Sequence, residues 1–216
     1  MRSSFFIVFL LIFCTTNVDA LKGPANKNIM GNSSEEIFFA NLSKQSNDII
    51  SITSHFTQTK HLKLIDNKLV SDGTFYYQKR GKIRFDYATP KKMSIIMMPD
   101  KLQIVAGEKK TTYDLTTQKP LAELAAVMEA CISGKLRELP EDYFVEYKLE
   151  PDSHVIKIKQ SKSTAKNPYT CIELHFNLVN YALEQLTLFE KSEDCTIYKF
   201  TNITVNQNLK PSLFMI

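Results

Sequence analysis

The sequence predicts an α+β fold in which a meander of antiparallel strands carries helices on one face. Three features lead to this reading. Runs rich in β-branched and aromatic residues recur between turn-forming residues, only two segments have helical periodicity, and strands do not alternate with helices as a parallel sheet requires.

Residues 1–20 have the pattern of a signal peptide. Arg2 is the charged start, Phe5 to Phe13 the apolar run, and Val18-Asp19-Ala20 a small-residue cleavage site. The apolar run is shorter than the roughly 18 residues that a membrane span needs. Cys14 follows that run, but lipidation requires a small residue before the cysteine, and Phe13 occupies that place. The exported chain is therefore expected to begin near Leu21. Residues 21–33 form an aperiodic polar lead-in, and a single domain occupies residues 34–216.

Ser34 can cap a helix and Glu35 and Glu36 suit its first turn, while Ile37, Phe38, Asn41, Leu42 and Gln45 recur at helical intervals. The first helix is expected over Glu35 to Asp48. Ser51 to Ile65 then reads as a strand whose Phe56, Gln58, Lys60, Leu62 and Leu64 share a face. GTFYYQK, IRFDY, KMSIIMM, KLQIV and TTYDL continue the pattern, broken at Arg80-Gly81-Lys82, Thr89-Pro90 and Ala106-Gly107-Glu108. A second helix opens with Pro120 and closes before Gly134, with Leu121, Leu124, Ala125, Met128 and Ile132 as its apolar stripe. After Pro140 the strands resume in YFVEYKL, HVIKIKQ, YTCIELHF, ALEQLTLFE and CTIYKFTNI, with one turn at Lys166-Asn167-Pro168. The sum is about ten strands and two helices.

The 27 basic and 23 acidic residues are spread along the chain, so nothing resembles a nucleic-acid patch and no such partner is expected. His55, His61, His154 and His175 lack metal-ligand spacing, and most of them read as surface residues on strands. No phosphate loop, nucleophile elbow or Cys/His arrangement is present, and the acidic pairs fall at element ends, which disfavours an enzyme. Cys131, Cys171 and Cys195 are odd in number. Cys171 and Cys195 fall on the first and third strands of a meander, roughly 10 Å apart and beyond disulfide reach, so buried free thiols are expected.

Aromatic residues carry more information. The chain has 14 Phe and 9 Tyr but no Trp, and several share a strand face: Phe75, Tyr77 and Lys79, then Ile83, Phe85 and Tyr87. Such a surface accepts alkyl chains without specific hydrogen bonds, at roughly 0.8 kcal/mol for each sequestered methylene. An ordinary core uses the same residue types, and periodicity alone leaves open whether helices or a ligand fill the concave face.

The order of the motifs resembles the LolA family of outer-membrane lipoprotein carriers. FTQTKHLKL (Phe56 to Leu64) is followed by SDGTFYYQKRGKIRFDYATP (Ser71 to Pro90), LAELAAVMEACISG (Leu121 to Gly134), and late LHFN and FTNITVN segments. The Lys-His-Leu segment after the first Phe-x-Gln strand is similar to the Bacteroidetes-type variant. The resemblance implies an unclosed β-barrel with helices as a lid in its concave face. It also implies a monomeric periplasmic shuttle for acyl chains, needing no cofactor, loaded by an inner-membrane ABC transporter and emptied at an outer-membrane acceptor.

On this reading Phe56, Phe75, Tyr77, Ile83, Phe85, Tyr87, Ile95 and Met97 line the hollow, and Phe85→Glu would abolish acyl-chain binding while leaving the fold intact. The family's basic lid latch falls on Lys79, with Arg80 where proline is usual; lysine lacks the planar fork of arginine, so Arg80 is the second candidate. Phe85 stands where the family often has Trp. Two other functions stay open, a carrier of another amphiphile such as a glycolipid or polyene lipid, and a lipoprotein-sensing domain. The last residues, Phe214-Met215-Ile216, read as strand-like.

Overall fold

The computed structural model describes residues 33–65, 67–161 and 169–216. The expected signal peptide at residues 1–20 with Cys14, residues 21–32 of the expected lead-in and the turn expected at Lys166-Asn167-Pro168 lie outside them.

Helix α1 spans Ser33–Asp48, and Glu35 and Glu36 in its first turn complement the positive end of the helix. Six strands follow: β1 (Ser51–Leu62), β2 (Asn67–Gln78), β3 (Lys82–Thr89), β4 (Met93–Met97), β5 (Lys101–Ala106) and β6 (Lys109–Asp114). Helix α2 (Lys119–Ser133) has proline in its first turn and stops at Gly134, whose φ of 71° is left-handed and whose N–H bonds the Ala130 carbonyl. The remaining strands are β7 (Tyr143–Leu149), β8 (Ser153–Gln160), β9 (Tyr169–Asn177), β10 (Leu183–Glu190) and β11 (Cys195–Val205).

All eleven strands form one antiparallel sheet in the order β6-β5-β4-β3-β2-β1-β11-β10-β9-β8-β7. The chain thus builds two meanders that meet where β1 pairs with β11, from Ile52 opposite Val205 to His61 opposite Cys195. The sheet does not close. Its edges are β6 and β7, and the connection between them carries α2 across the concave face. Lys109 and Lys110 on β6 and Glu146 and Lys148 on β7 discourage either edge from pairing with another chain.

Cross-strand register makes one apolar layer from residues distant in sequence. Phe75 lies opposite Phe85 and Tyr77 opposite Ile83, while Ile83 and Phe85 face Met97 and Ile95 on β4. These six residues share a continuous core with Val127, Met128, Cys131 and Ile132 of α2. Gly73 belongs to the same face and lies beside the β2–β3 register shift. A methyl group there would overlap the Asp86 carbonyl and approach the Phe56 ring to 2.9 Å.

Three expectations need correction. Phe214-Met215-Ile216 is not a strand: Pro211–Phe214 is a short 3-10 helix with Phe214 buried, held to β3 by Arg84 Nη1 donating to the Leu213 carbonyl at 2.6 Å. β1 ends at Leu62, and Leu64, read as part of its apolar face, is 96 % exposed on a following 3-10 turn. The three described cysteines are free, but only Cys131 is buried; Cys171 and Cys195 are half-buried, separated by β10, on which both face Phe189.

The Gly73→Ala variant is expected to lose about 1–3 kcal/mol of stability, because the added methyl pushes β2 off β3. Urea unfolding measures it; an unchanged midpoint would mean that the strands separate without cost.

Candidate functional site

The concave face has two regions that differ in what fills them. Under α2 the packing is close. Ile83, Phe85, Ile95 and Met97 surround a void of only about 20 Å³ with Met128, Leu188 and Tyr198. Phe56 stands edge-on to Phe85 and Tyr87, with ring centres 5.3 and 5.0 Å away. Tyr87 donates its hydroxyl to Gln58 Oε1 at 2.6 Å, which satisfies an amide that is only 1 % exposed. Burial pushes the Tyr87 phenol up to about 12.

The second region is an open cavity of about 980 Å³ at the end of the sheet where α1 terminates. This is near the top of the ~300–1,000 Å³ range of small-molecule pockets. Its roof is Leu42 of α1 and Ile49 just past the helix, and Ile132 of α2 adjoins them. Ile52 and Phe75 come from β1 and β2, Phe176 and Leu183 from β9 and β10, and Phe200 and Ile203 from β11.

The sheet splits here. β10 pairs with β11 only as far as Gln185 opposite Lys199, whereas β11 continues to Val205 bonded to β1. Side chains from both faces of the sheet consequently line the cavity, because neighbours along a strand point oppositely. Phe176 and Phe200 supply apolar surface, while His175, Gln185 and Lys199 supply a polar rim. Along that rim Ser153 Oγ lies 3.1 Å from His175 Nδ1, and His175 Nε2 lies 2.9 Å from Glu173. Burial would raise the Glu173 carboxyl, but hydrogen bonds from His175 and Lys157 outweigh it and hold the group below its ordinary value.

Helix α1 is fixed over this cavity by contacts that the sequence does not reveal. Phe38 is fully buried among Tyr147, His154 and Phe176, with ring centres 5.2, 4.7 and 5.6 Å away. Arg137 grips Glu36 through both carboxylate oxygens and stacks 4.3 Å over the Phe39 ring. Gly134 brings the end of α2 so close that a Cβ there would lie 2.9 Å from Leu42. At the other end, Lys79 Nζ donates to the Asn47 carbonyl at 2.7 Å and Asn206 Nδ2 to the Asp48 carbonyl at 3.0 Å. α1 has no basic residue in its last turn, so a cation from the sheet meets its negative end.

The eight residues read as lining the hollow are all buried. Phe75 alone of them borders the large cavity, and Ile83, Phe85, Ile95 and Met97 border the small void. Phe85 also touches Phe75 and Tyr198 rings at 5.0 and 5.6 Å. A glutamate there would bury an unpaired charge and threaten the fold itself, so Phe85→Glu is not a clean probe of binding. Lys79 reaches α1 as described, and Arg80 occupies the β2–β3 turn with a φ of 78°. Sequence reasoning missed Leu42, Ile49, Leu183 and Ile203, although Phe176 and Phe200 lay in the LHFN and FTNITVN segments. Of the four histidines, most of which read as surface residues, His154 is buried, stacked on Tyr181 at 5.3 Å.

Burial lowers the His154 pKa, favouring the neutral ring in the folded state. The unfolded chain takes up this proton as pH falls through about 6.5, and the folded chain does so only at lower pH. Stability should therefore decline from about pH 6.5 downward. In parallel unfolding curves a His154→Phe variant should show a smaller decline; equal slopes would mean that His154 does not contribute.

Among the described residues no helix is long and apolar enough to cross a membrane. The family model described as "Outer membrane lipoprotein carrier protein LolA" matches residues 47–216. The chain is 24% identical over 149 residues to an outer-membrane lipoprotein carrier protein of Coxiella burnetii, covering 67% of this chain and 65% of that relative. Among solved structures, a LolA superfamily protein from Nitrosomonas europaea covers 84% of this chain and 97% of its own at 8% identity, with a TM-score of 0.44. An uncharacterized conserved protein from Thermus thermophilus covers 85% and 94% at 8% identity, with a TM-score of 0.49. With its family model matched across both meanders and the whole unclosed sheet, the chain belongs to the LolA family.

Proposed function

We propose that this protein shelters the acyl chains of lipoproteins and carries them through the periplasm, from an inner-membrane ABC transporter to an outer-membrane acceptor. The observation that carries the reading is the open cavity of about 980 Å³ between α1 and the split sheet. Its floor is apolar, so alkyl chains gain by leaving water, and its polar rim suits the glyceryl and peptide groups at the head of a lipoprotein. Export by the signal peptide at residues 1–20 places the carrier between the two membranes.

In this reading α1 is the lid, and Lys79 is its latch at Asn47. Opening requires few losses at that end, because the ammonium and Asn206 return to water with little penalty when an exposed contact parts. Phe38 and its aromatic partners form the hinge side, where burial is complete.

The cargo is tested by native mass spectrometry of protein purified from its own cells. Triacylated polypeptide supports the proposal, whereas a free glycolipid or polyene lipid identifies another amphiphile as cargo. Ile203→Glu and Leu183→Glu alter half-buried lining residues, and each should lower affinity for a fluorescent fatty acid about tenfold or more. Unchanged affinity in a folded variant would remove this cavity from consideration. For the latch, Lys79→Met should raise amide exchange in the last turn of α1 severalfold, while exchange around Phe38 stays constant.

A further inference from the structure

The β1–β2 hairpin has a composition and shape that the cavity does not use. β1 and β2 stay paired out to Leu62 opposite Asn67, but β3 stops pairing with β2 at Asp72 opposite Thr89. Residues 67–71 of β2 therefore extend past the edge of β3 by roughly 16 Å, at about 3.3 Å per residue. Leu64 and Ile65 at the tip are 96 % and 62 % exposed, and Val70 and Leu69 are 57 % and 39 % exposed. Leu69 and Val70 are neighbours on a strand, so they point to opposite faces of the hairpin. An element folded to pack on its own domain is apolar on one face; this one is apolar on both and at its tip.

One side of the hairpin is braced up to the start of its tip. The Lys63 N–H donates to Asp194 at 3.0 Å and the Lys63 ammonium pairs with Glu193, both on the β10–β11 turn. Lys60, just below, pairs with Glu190 at 2.9 Å. The exposed apolar side chains thus stand on a fixed support.

Charge at this end selects the occupant. Lys68 lies in the hairpin, Lys92 in the adjacent β3–β4 turn, and Lys109 and Lys110 at the β5–β6 turn of the same end, all exposed. Of the described acids there, Glu190 and Glu193 pair with Lys60 and Lys63, Asp194 accepts the Lys63 backbone N–H, Asp72 accepts the Thr89 hydroxyl at 2.8 Å, and Glu108 lies exposed beside Lys109 and Lys110, which leaves lysines in excess. Apolar side chains at a projecting tip, surrounded by lysines, match the boundary between acyl chains and anionic headgroups.

We propose that the β1–β2 hairpin docks this protein on bilayers containing anionic phospholipid, with Leu64 and Ile65 entering the interface and the surrounding lysines meeting the headgroups. The cavity lies at the opposite end of the strands, so docking leaves its mouth unobstructed. The proposal is independent of the acyl-carrier reading.

Flotation of the purified protein with phosphatidylethanolamine–phosphatidylglycerol vesicles, against phosphatidylcholine vesicles, tests it. Binding to the anionic vesicles that weakens with salt is expected, and the Leu64→Ser/Ile65→Ser double variant should bind about tenfold less. Lys68→Glu/Lys92→Glu should reduce binding to anionic vesicles without changing the weak binding to neutral ones. Thermal melting and fatty-acid binding, unchanged in both variants, separate loss of docking from loss of fold or of the cavity. The proposal is overturned if the parent protein does not float with anionic vesicles, or if the double variant floats as well as the parent. It is equally overturned if the parent is a dimer without lipid and the double variant a monomer, since the hairpin is then a contact between copies.

Discussion

The pairing of β1 with β11 is the constraint on which the rest of the structure depends. It joins the first strand to the last, and so fuses two meanders into one sheet whose edges are β6 and β7. A sheet of eleven twisted strands curls, and its concave side presents more apolar surface than its own strands can cover. Because the edges do not meet, that side must be covered by what the chain provides elsewhere. The only long connection between the edges carries α2, which fills one region to near crystalline closeness. Over the other region α1 is a roof without a full filling.

That asymmetry separates scaffold from site. The layer of Phe56, Phe75, Phe85, Tyr87 and Tyr198 is tightly interlocked by edge-on and tilted ring contacts, and the buried Gln58 amide accepts the Tyr87 hydroxyl. Such packing holds a fixed geometry and tolerates little change in volume. The roof is different. Its helix is buried at Phe38 yet held at the far end by exposed hydrogen bonds from Lys79 and Asn206, so its two ends have unequal resistance to movement. In the proposed carrier, a helix held in this way admits cargo to the cavity beneath it without unpacking the core.

The split between β10 and β11 has a related role. Once β11 leaves β10 at Lys199, the wall draws on both faces of the sheet, and polar side chains come within reach of an otherwise apolar cavity. An amphiphile has the same two-part character. In the same stretch β11 carries a bulge against β1 between Thr53 and His55, with Asn202 at a φ of 52°.

The sequence by itself determined the elements, since period-2 and period-3.6 patterns report which side of a strand or helix is buried, and the turn residues mark where each ends. Phe75, Tyr77, Ile83, Phe85 and Tyr87 were legible as one face because alternation along β2 and β3 is a local property. The order of motifs pointed to the family for the same reason. Only the tertiary structure decided which part of that apolar face is core and which is cavity. Ile83 and Ile203 are alike in residue type and both are on strands; Met128 of α2 closes over the first, while the second lies where β11 has parted from β10. Burial of His154 under Phe38 and the reach of Lys79 to Asn47 likewise depend on where α1 settles. Those placements arise from contacts between residues far apart in the chain, and local periodicity carries no record of them.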